Sequence, residues 1–352
     1  RLQRGSNSYV ACYAPIATPL KTNKNPAQYR ALISFQLPKV AMMQVVKVYF
    51  IVLFLSFWTT IGSAQSKNGF NLENSLIPYN QIFSGGPSKE GIPAIDKPLF
   101  VVADKASFLD DDSVVLGINY KGLSKAYPIN ILNWHEIVND TFNSIPVVIT
   151  FCPLCGSGMA FLASIENKAH TFGVSGLLYD SDVLLYDRQT ESLWSQLMTQ
   201  AVSGQHKGRQ LQSLPVLQTS WQNWKTKFPD TLVLSTETGY SRNYNDSPYA
   251  AYLKSPQTMF PLSSVSRRYH PKQAVLGIEV NGQFKVYPFI ELEKGGAEFS
   301  DTFNGNSMII RYDKKYRTAS IFNQQGKQLP AVKTFWFAWY AFHPKTKVYV
   351  AP

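Results

Sequence analysis

The chain contains two copies of one unit, and that duplication constrains its fold more than any other feature. Val115-Leu116-Gly117-Ile118 returns 160 residues later as Val275-Leu276-Gly277-Ile278, and Tyr127-Pro128 returns at the same distance as Tyr287-Pro288. Asp140-Thr141-Phe142-Asn143 recurs 161 residues on as Asp301-Thr302-Phe303-Asn304. Further along, Leu214-Pro215, Thr219, Trp221, Trp224, Pro229, Thr231 and Val233 match Leu329-Pro330, Thr334, Trp336, Trp339, Pro344, Thr346 and Val348, now only 115 residues apart. A unit written twice in the same order must be built twice. The drop in spacing assigns about 46 surplus residues to the first copy, between positions 163 and 209. The expected organisation is a lead-in over 65–95, copy one over 96–235, a linker over 236–256 and copy two over 257–352.

Within each copy, a strand runs through Lys121-Gly122 or Asn281-Gly282 into a second strand ending at Tyr-Pro, which is a hairpin signal. Ile131, Leu132, Trp134, Ile137 and Val138 have helical spacing and predict a short helix over 129–138. A turn and two more strands follow, then a helix bearing a Trp-x-x-Trp pair that reads as core, then a last strand. Short strands punctuated by Gly and Pro predict a β-rich α+β fold of two pseudo-repeated subdomains, built of hairpins and short helices and enlarged by an insertion in the first copy. At 45% hydrophobic and only 16% charged residues, the chain is neither a disordered tail nor a coiled coil. Phosphate-binding loop, Gly-x-Ser-x-Gly and His-Glu-x-x-His motifs are absent from the sequence.

The net charge of +11 suggests an anionic partner until the charges are located. Residues 42–64 read as a signal peptide: Lys47 is the basic flank, Val48 to Trp58 the apolar run, and Gly62-Ser63-Ala64 the small-residue cleavage signature. The run is too short for the ~20 residues that span a bilayer. The stretch 1–41 starts at Arg1, holds no acidic residue and reads as an over-extended reading frame, with translation starting at Met42 or Met43. Seven basic and no acidic residues leave with 1–64, so the expected mature chain carries 27 basic and 23 acidic residues, a net +4. That mild excess argues against nucleic acid as a partner. The expectation is an exported protein, periplasmic or secreted, with no membrane span after cleavage. Its two cysteines, Cys152 and Cys155, would lie where disulfides persist.

Duplication also supplies a control, because the copies share what the fold needs and differ where one has a special task. Copy one reads Asn133-Trp134-His135-Glu136-Ile137-Val138-Asn139-Asp140, where copy two runs Glu293 to Asp301 without a histidine. Copy one has Phe151-Cys152-Pro153-Leu154-Cys155-Gly156-Ser157-Gly158, where copy two has Tyr312 to Ala319 without cysteine. His135, Cys152 and Cys155 are therefore dispensable to the shared architecture and form the candidate centre. The surplus segment follows closely and is a candidate cover.

The words Ile131 to Asp140, Cys152-Pro-Leu-Cys-Gly-Ser157, Phe172-Gly-Val-Ser-Gly-Leu177 and Leu185 to Trp194 carry a resemblance to the uncharacterised family called domain of unknown function 3179. It spans roughly Gly91 to Pro352. The resemblance implies no activity, since none is established for the family, so the chemistry must come from the residues.

A Cys-x-x-Cys pair can be a metal half-site, a redox dithiol or a structural disulfide. As a metal site it takes His135 as third ligand and His170, Glu136 or water as fourth, with one zinc or copper ion matching sulfur and imidazole. As a redox site it needs lowered thiol pKa values, and Gly156-Ser157-Gly158 reads as turn then strand rather than a helix N-terminus. A disulfide across so short a loop stabilises little. Against the metal reading, His135 in a half-buried helix could simply satisfy a core hydrogen bond. Cys152, Cys155 and Glu136 are the candidate catalytic residues, Glu136 as general base. The surplus segment, with Ser175, Tyr179, Asp180, Asp182, Tyr186, Asp187, Arg188 and Trp194, is polar and aromatic like a pocket wall; Ser175, Tyr186, Asp187 and Arg188 are its candidate substrate contacts, with a buried Asp187–Arg188 ion pair as the alternative. His206, His270 and His343 read as surface. Two functions stay open: a metal- or thiol-dependent enzyme, oxidoreductase-like, acting on a small molecule, or a non-catalytic envelope module that carries metal or binds a protein or glycan.

Overall fold

A computed structural model describes residues 65–352, which fall in one compact unit. The expected leader over 42–64 and the stretch 1–41 lie outside the described residues. The described residues are 41% strand and 12% helix, so the β-rich expectation holds while the helices among them are few and short. Among the described residues seven sheets form, and the five with three or more strands are arranged as a five-bladed propeller, which neither propensity nor the repeat foretold.

Sheet I contains, in spatial order, the strands Leu217–Ser220, Val114–Tyr120, Leu123–Pro128, Leu232–Leu234 and Phe100–Val102. Sheet IV repeats its first four as Val332–Phe335, Ala274–Val280, Gln283–Pro288 and Lys347–Val348, with the same antiparallel and parallel neighbours. Sheet II runs Ser213–Leu214, Ser157–Leu162, Ile145–Cys152 and Ile137–Phe142; its counterpart, sheet V, runs Glu298–Phe303, Asn306–Asp313 and Thr318–Asn323. The first hairpin of each copy closes through two left-handed residues, Lys121 and Gly122 (φ 50° and 81°) or Asn281 and Gly282 (φ 50° and 74°). That is the geometry of a two-residue loop matched to strand twist.

The repeated words each have a packing reason. Asp140 accepts from Lys125 Nζ at 2.7 Å and from the Tyr127 hydroxyl at 2.6 Å, all three nearly buried. Asp301 repeats this with Lys285 at 2.5 Å and Tyr287 at 2.8 Å. Trp224 lies against Gly117, where an added Cβ would sit 2.1 Å from the indole, and Trp339 lies against Gly277 at 2.2 Å. Each indole N–H donates to a threonine hydroxyl, Thr231 at 2.9 Å and Thr346 at 3.0 Å. The tryptophan pairs are core as expected, Trp221, Trp224, Trp336 and Trp339 all being buried.

The predicted helix over 129–138 stops at His135. Glu136 turns left-handed at φ 56°, and the β-branched Ile137 and Val138 enter a sheet II strand instead.

The surplus segment folds as its own blade. Sheet III runs Gln200–Ser203, Leu193–Ser195, Asp182–Asp187, Phe172–Tyr179 and Ile82–Ser84, the last strand coming from the lead-in. The two copies do not pack as separate subdomains. Strand Val332–Phe335 of copy two lies against Ser157–Leu162 of copy one, and reciprocally Leu217–Ser220 lies against Thr318–Asn323. The largest apolar cluster accordingly mixes Cys152, Cys155, Phe161, Phe172 and Trp194 with Val275, Trp336 and Trp339.

Candidate functional site

Three segments meet at Cys152 and Cys155. The first ends sheet II: Cys152 is the last residue of its strand, and the four-residue turn from Pro153 to Gly156 carries Cys155 before Ser157 starts the next strand. The Cys155 carbonyl accepts from the Phe335 N–H at 2.8 Å and from the Thr334 hydroxyl at 2.9 Å, so copy two pins the turn. The second segment is the sheet III hairpin, whose left-handed turn residues Asp180 and Ser181 (φ 50° and 66°) carry Asp182 into the interior. The Ser181 carbonyl faces both sulfurs, at 3.3 Å from Cys155 Sγ and 3.7 Å from Cys152 Sγ. The third is the end of the Ile129–His135 helix, where Glu136 leaves the helix.

Cys152, Cys155 and Asp182 each offer a ligand atom, and these atoms lie within 4.8 Å of one another. All three residues are at most 1% exposed. Asp182 Oδ2 accepts from the Leu197 N–H at 2.9 Å, while its Oδ1 is buried without a protein partner. Glu136, 6% exposed, stands outside that set but feels the charge of Asp182, and the Tyr249 hydroxyl donates to its Oε1 at 3.2 Å.

Burial dominates the electrostatics. It pushes Glu136 up to about 7, against the hydrogen bond from Tyr249, and the Asp182 charge adds to the rise. Asp182 is pushed up to about 7 by burial, partly offset by backbone N–H groups and the thiols. Both thiols are raised for the same reason, Cys155 the more strongly. Four acidic groups thus lie together in the interior, and among the described residues no cationic side chain is one of the main groups acting on them.

The cover over this centre comes from residues 236–263, most of which the sequence assigns to a linker. The Tyr252 hydroxyl donates to the Leu154 carbonyl at 2.9 Å, and the Ser181 hydroxyl donates to the Phe260 carbonyl at 3.2 Å. Ser263 donates through its N–H and hydroxyl to Asp180, at 2.5 and 2.7 Å.

Several sequence-level candidates lie elsewhere. His135 is buried, but its Nδ1–H donates to the Pro93 carbonyl at 2.8 Å and its Nε2 meets the Tyr244 hydroxyl at 2.7 Å. With both nitrogens engaged, this imidazole has no lone pair left for a metal, and the core hydrogen-bond reading describes it. His170 is grouped with Asp187 and His206, not with the cysteines. Ser175 is spent on the bulge between Val174 and Leu177, donating to the Leu184 carbonyl and accepting from the Leu177 N–H. Tyr186 and Arg188 both bond Glu90, and Arg188 also bonds Asp96 at 2.7 Å, which ties the lead-in to the blade. Asp187 turns the opposite way, to Thr190 and Trp194, because neighbouring strand residues face opposite sides. The four pocket candidates therefore do not converge, and Asp187 and Arg188 form no ion pair. His206 and His343 are buried rather than surface residues, whereas His270 is exposed.

Asp182 is the participant that sequence reasoning misses as a ligand. Its signal is an acidic residue opening the otherwise apolar strand Asp182–Asp187 directly after a turn. Equivalent backbone bonds identify what copy two has at these places. Phe151 N–H donates to the Glu136 carbonyl at 2.7 Å and Tyr312 N–H to the Ala297 carbonyl at 2.8 Å, so Ala297 stands where Glu136 stands.

Residues 89–329 match the family described as protein of unknown function (DUF3179), a span that includes the whole centre. No curated protein and no solved structure matches the chain.

Proposed function

The chain belongs to the DUF3179 family of proteins of unknown function, and from that premise we propose that it is a metal-dependent enzyme whose ion is held by Cys152, Cys155 and Asp182. The observation that carries the reading is the buried group of four acids with no cationic side chain acting on it among the described residues. Burying even one unpaired anion costs several kcal/mol, so such a group either stays protonated or takes a positive ion. The donor set suits zinc: two thiolates and a carboxylate are three protein ligands, the number found in zinc sites that leave one position open. The free lone pairs of Asp182 Oδ1 fit the same reading. When bound, the ion supplies Lewis acidity and the charge that lets both thiols ionise.

In this reading the chain's own residues divide the remaining work. Glu136, near 7 and off the donor set, holds or releases a proton at its carboxylate, with Tyr249 fixing that group. The segment 236–263 excludes water and must move to admit a small polar substrate. Export, expected from residues 42–64, is part of the proposal, as is a small molecule or envelope component as partner. Dithiol redox chemistry is the second reading. The close approach of the two sulfurs favours it, while their burial and raised pKa values weigh against a reactive thiolate.

Metal analysis of the purified protein, paired with a thiol count, tests the reading. We expect the zinc of this centre, one equivalent, to be lost in Cys152→Ser and in Asp182→Asn but retained in Glu136→Gln. A metal-free protein that carries a Cys152–Cys155 disulfide would overturn it.

A further inference from the structure

The surplus blade holds a second constellation, away from the cysteines. His170, Asp187 and His206 are 6%, 0% and 3% exposed, and each points one ligand atom into a space where all three lie within 4.8 Å of one another. His170 donates from Nδ1 to the Lys168 carbonyl at 2.9 Å, which fixes the tautomer and leaves Nε2 as a lone pair. Metal-binding histidines are oriented by this kind of outer bond. His206 has both ring nitrogens buried and neither has a partner. Leaving a buried polar group without a partner is costly, and this imidazole has two such nitrogens.

The carboxylate is held as a ligand would be. Asp187 Oδ1 accepts from the Thr190 N–H at 2.7 Å and hydroxyl at 2.8 Å, and Oδ2 accepts from the Trp194 indole at 2.9 Å. His206 is delivered by a pinned loop: its N–H donates to Ser192 Oγ at 3.0 Å, and Gly204 (φ +83°) packs so closely on Ser192 that a Cβ would sit 2.6 Å from its Cα. All three residues belong to the segment that copy two lacks, so the shared architecture does not require them.

We infer that His170, Asp187 and His206 form a second metal site, which takes a divalent first-row ion such as Zn(II) or Fe(II). Two imidazoles and one carboxylate are the donor set of open zinc centres and of the facial triad that binds Fe(II). The inference is independent of the thiol centre, and the two can fail separately.

Equilibrium dialysis of the metal-stripped protein against Zn(II) tests it. We expect His206→Gln and His170→Gln each to abolish one bound equivalent, or weaken it at least 100-fold, while Cys152→Ser leaves that equivalent in place. Unchanged zinc binding in both histidine variants would overturn the inference. Should the variants fail to fold, Co(II) bound to the metal-stripped Cys152→Ser protein decides the question. We expect one equivalent of Co(II) with visible d–d absorption and no thiolate charge-transfer band, and a Cys152→Ser protein that binds no Co(II) would overturn the site.

Discussion

His343 occupies in copy two the place that Phe228 holds in copy one, the residue that ends the tryptophan-bearing helix. Phe228 packs on Trp224 with ring centroids 4.3 Å apart, and His343 packs on Trp339 at 4.4 Å and stacks on Phe284 at 3.7 Å. This burial pushes the imidazole down to about 3. The unfolded chain takes up that proton below about 6.5 while the folded chain does not, so stability falls as pH drops through the interval between the two values. The loss from this one group between pH 7 and pH 4 is up to about 3 kcal/mol. His343→Phe, which installs the residue of copy one, should keep the stacking and remove that acid sensitivity. Urea unfolding of wild type and variant at both pH values checks this; equal losses would refute it. A turn-like context marks His343 as surface, because a local pattern carries no record of the aromatic residues packed on it from elsewhere in the chain.

At the scale of elements, the sequence was legible wherever one local rule sufficed. The strands Val114–Tyr120 and Ala274–Val280 and their two-residue turns lie where alternation and turn residues put them. The repeated glycine in Val-Leu-Gly-Ile also has a definite use, since each faces an indole with no room for a methyl group. Gly117→Ala and Gly277→Ala should each destabilise the protein by about 2 kcal/mol or more through overpacking. The expected signature is a lower urea midpoint at unchanged slope, and a neutral outcome at either position would contradict the packing described. What escaped local rules was the end of the 129–138 helix. Its apolar spacing continues through Ile137 and Val138, but those residues pair with Thr150 and Ile149 in sheet II, and strand pairing overrode the helical period. Glu136 takes the left-handed turn between the two, a strained conformation for a residue with a Cβ and one that recurs at functional positions.

Across the whole molecule, the copies interlock. The Cys155 turn hangs on Thr334 and Phe335, and Trp336, Trp339 and Val275 share the apolar cluster that encloses both cysteines. A chain that ends at residue 256 should therefore show no cooperative unfolding transition by circular dichroism, although it keeps all of copy one. A cooperative melt from that truncated chain would mean that the copies fold separately. By itself, the sequence determined the duplication, the surplus in copy one, the β-rich character and the place where the copies diverge, because repeated words, alternation and turn residues are local properties. It also marked His135, Cys152 and Cys155 as residues the shared unit does not need. Only the tertiary structure decided which of the marked residues meet. It brought Asp182 to the thiols through a hairpin turn, used up both nitrogens of His135 on Pro93 and Tyr244, and paired His170 with Asp187 and His206. Which side chains share a buried volume depends on how blades pack on one another, and contacts between residues tens of positions apart leave no period in the sequence.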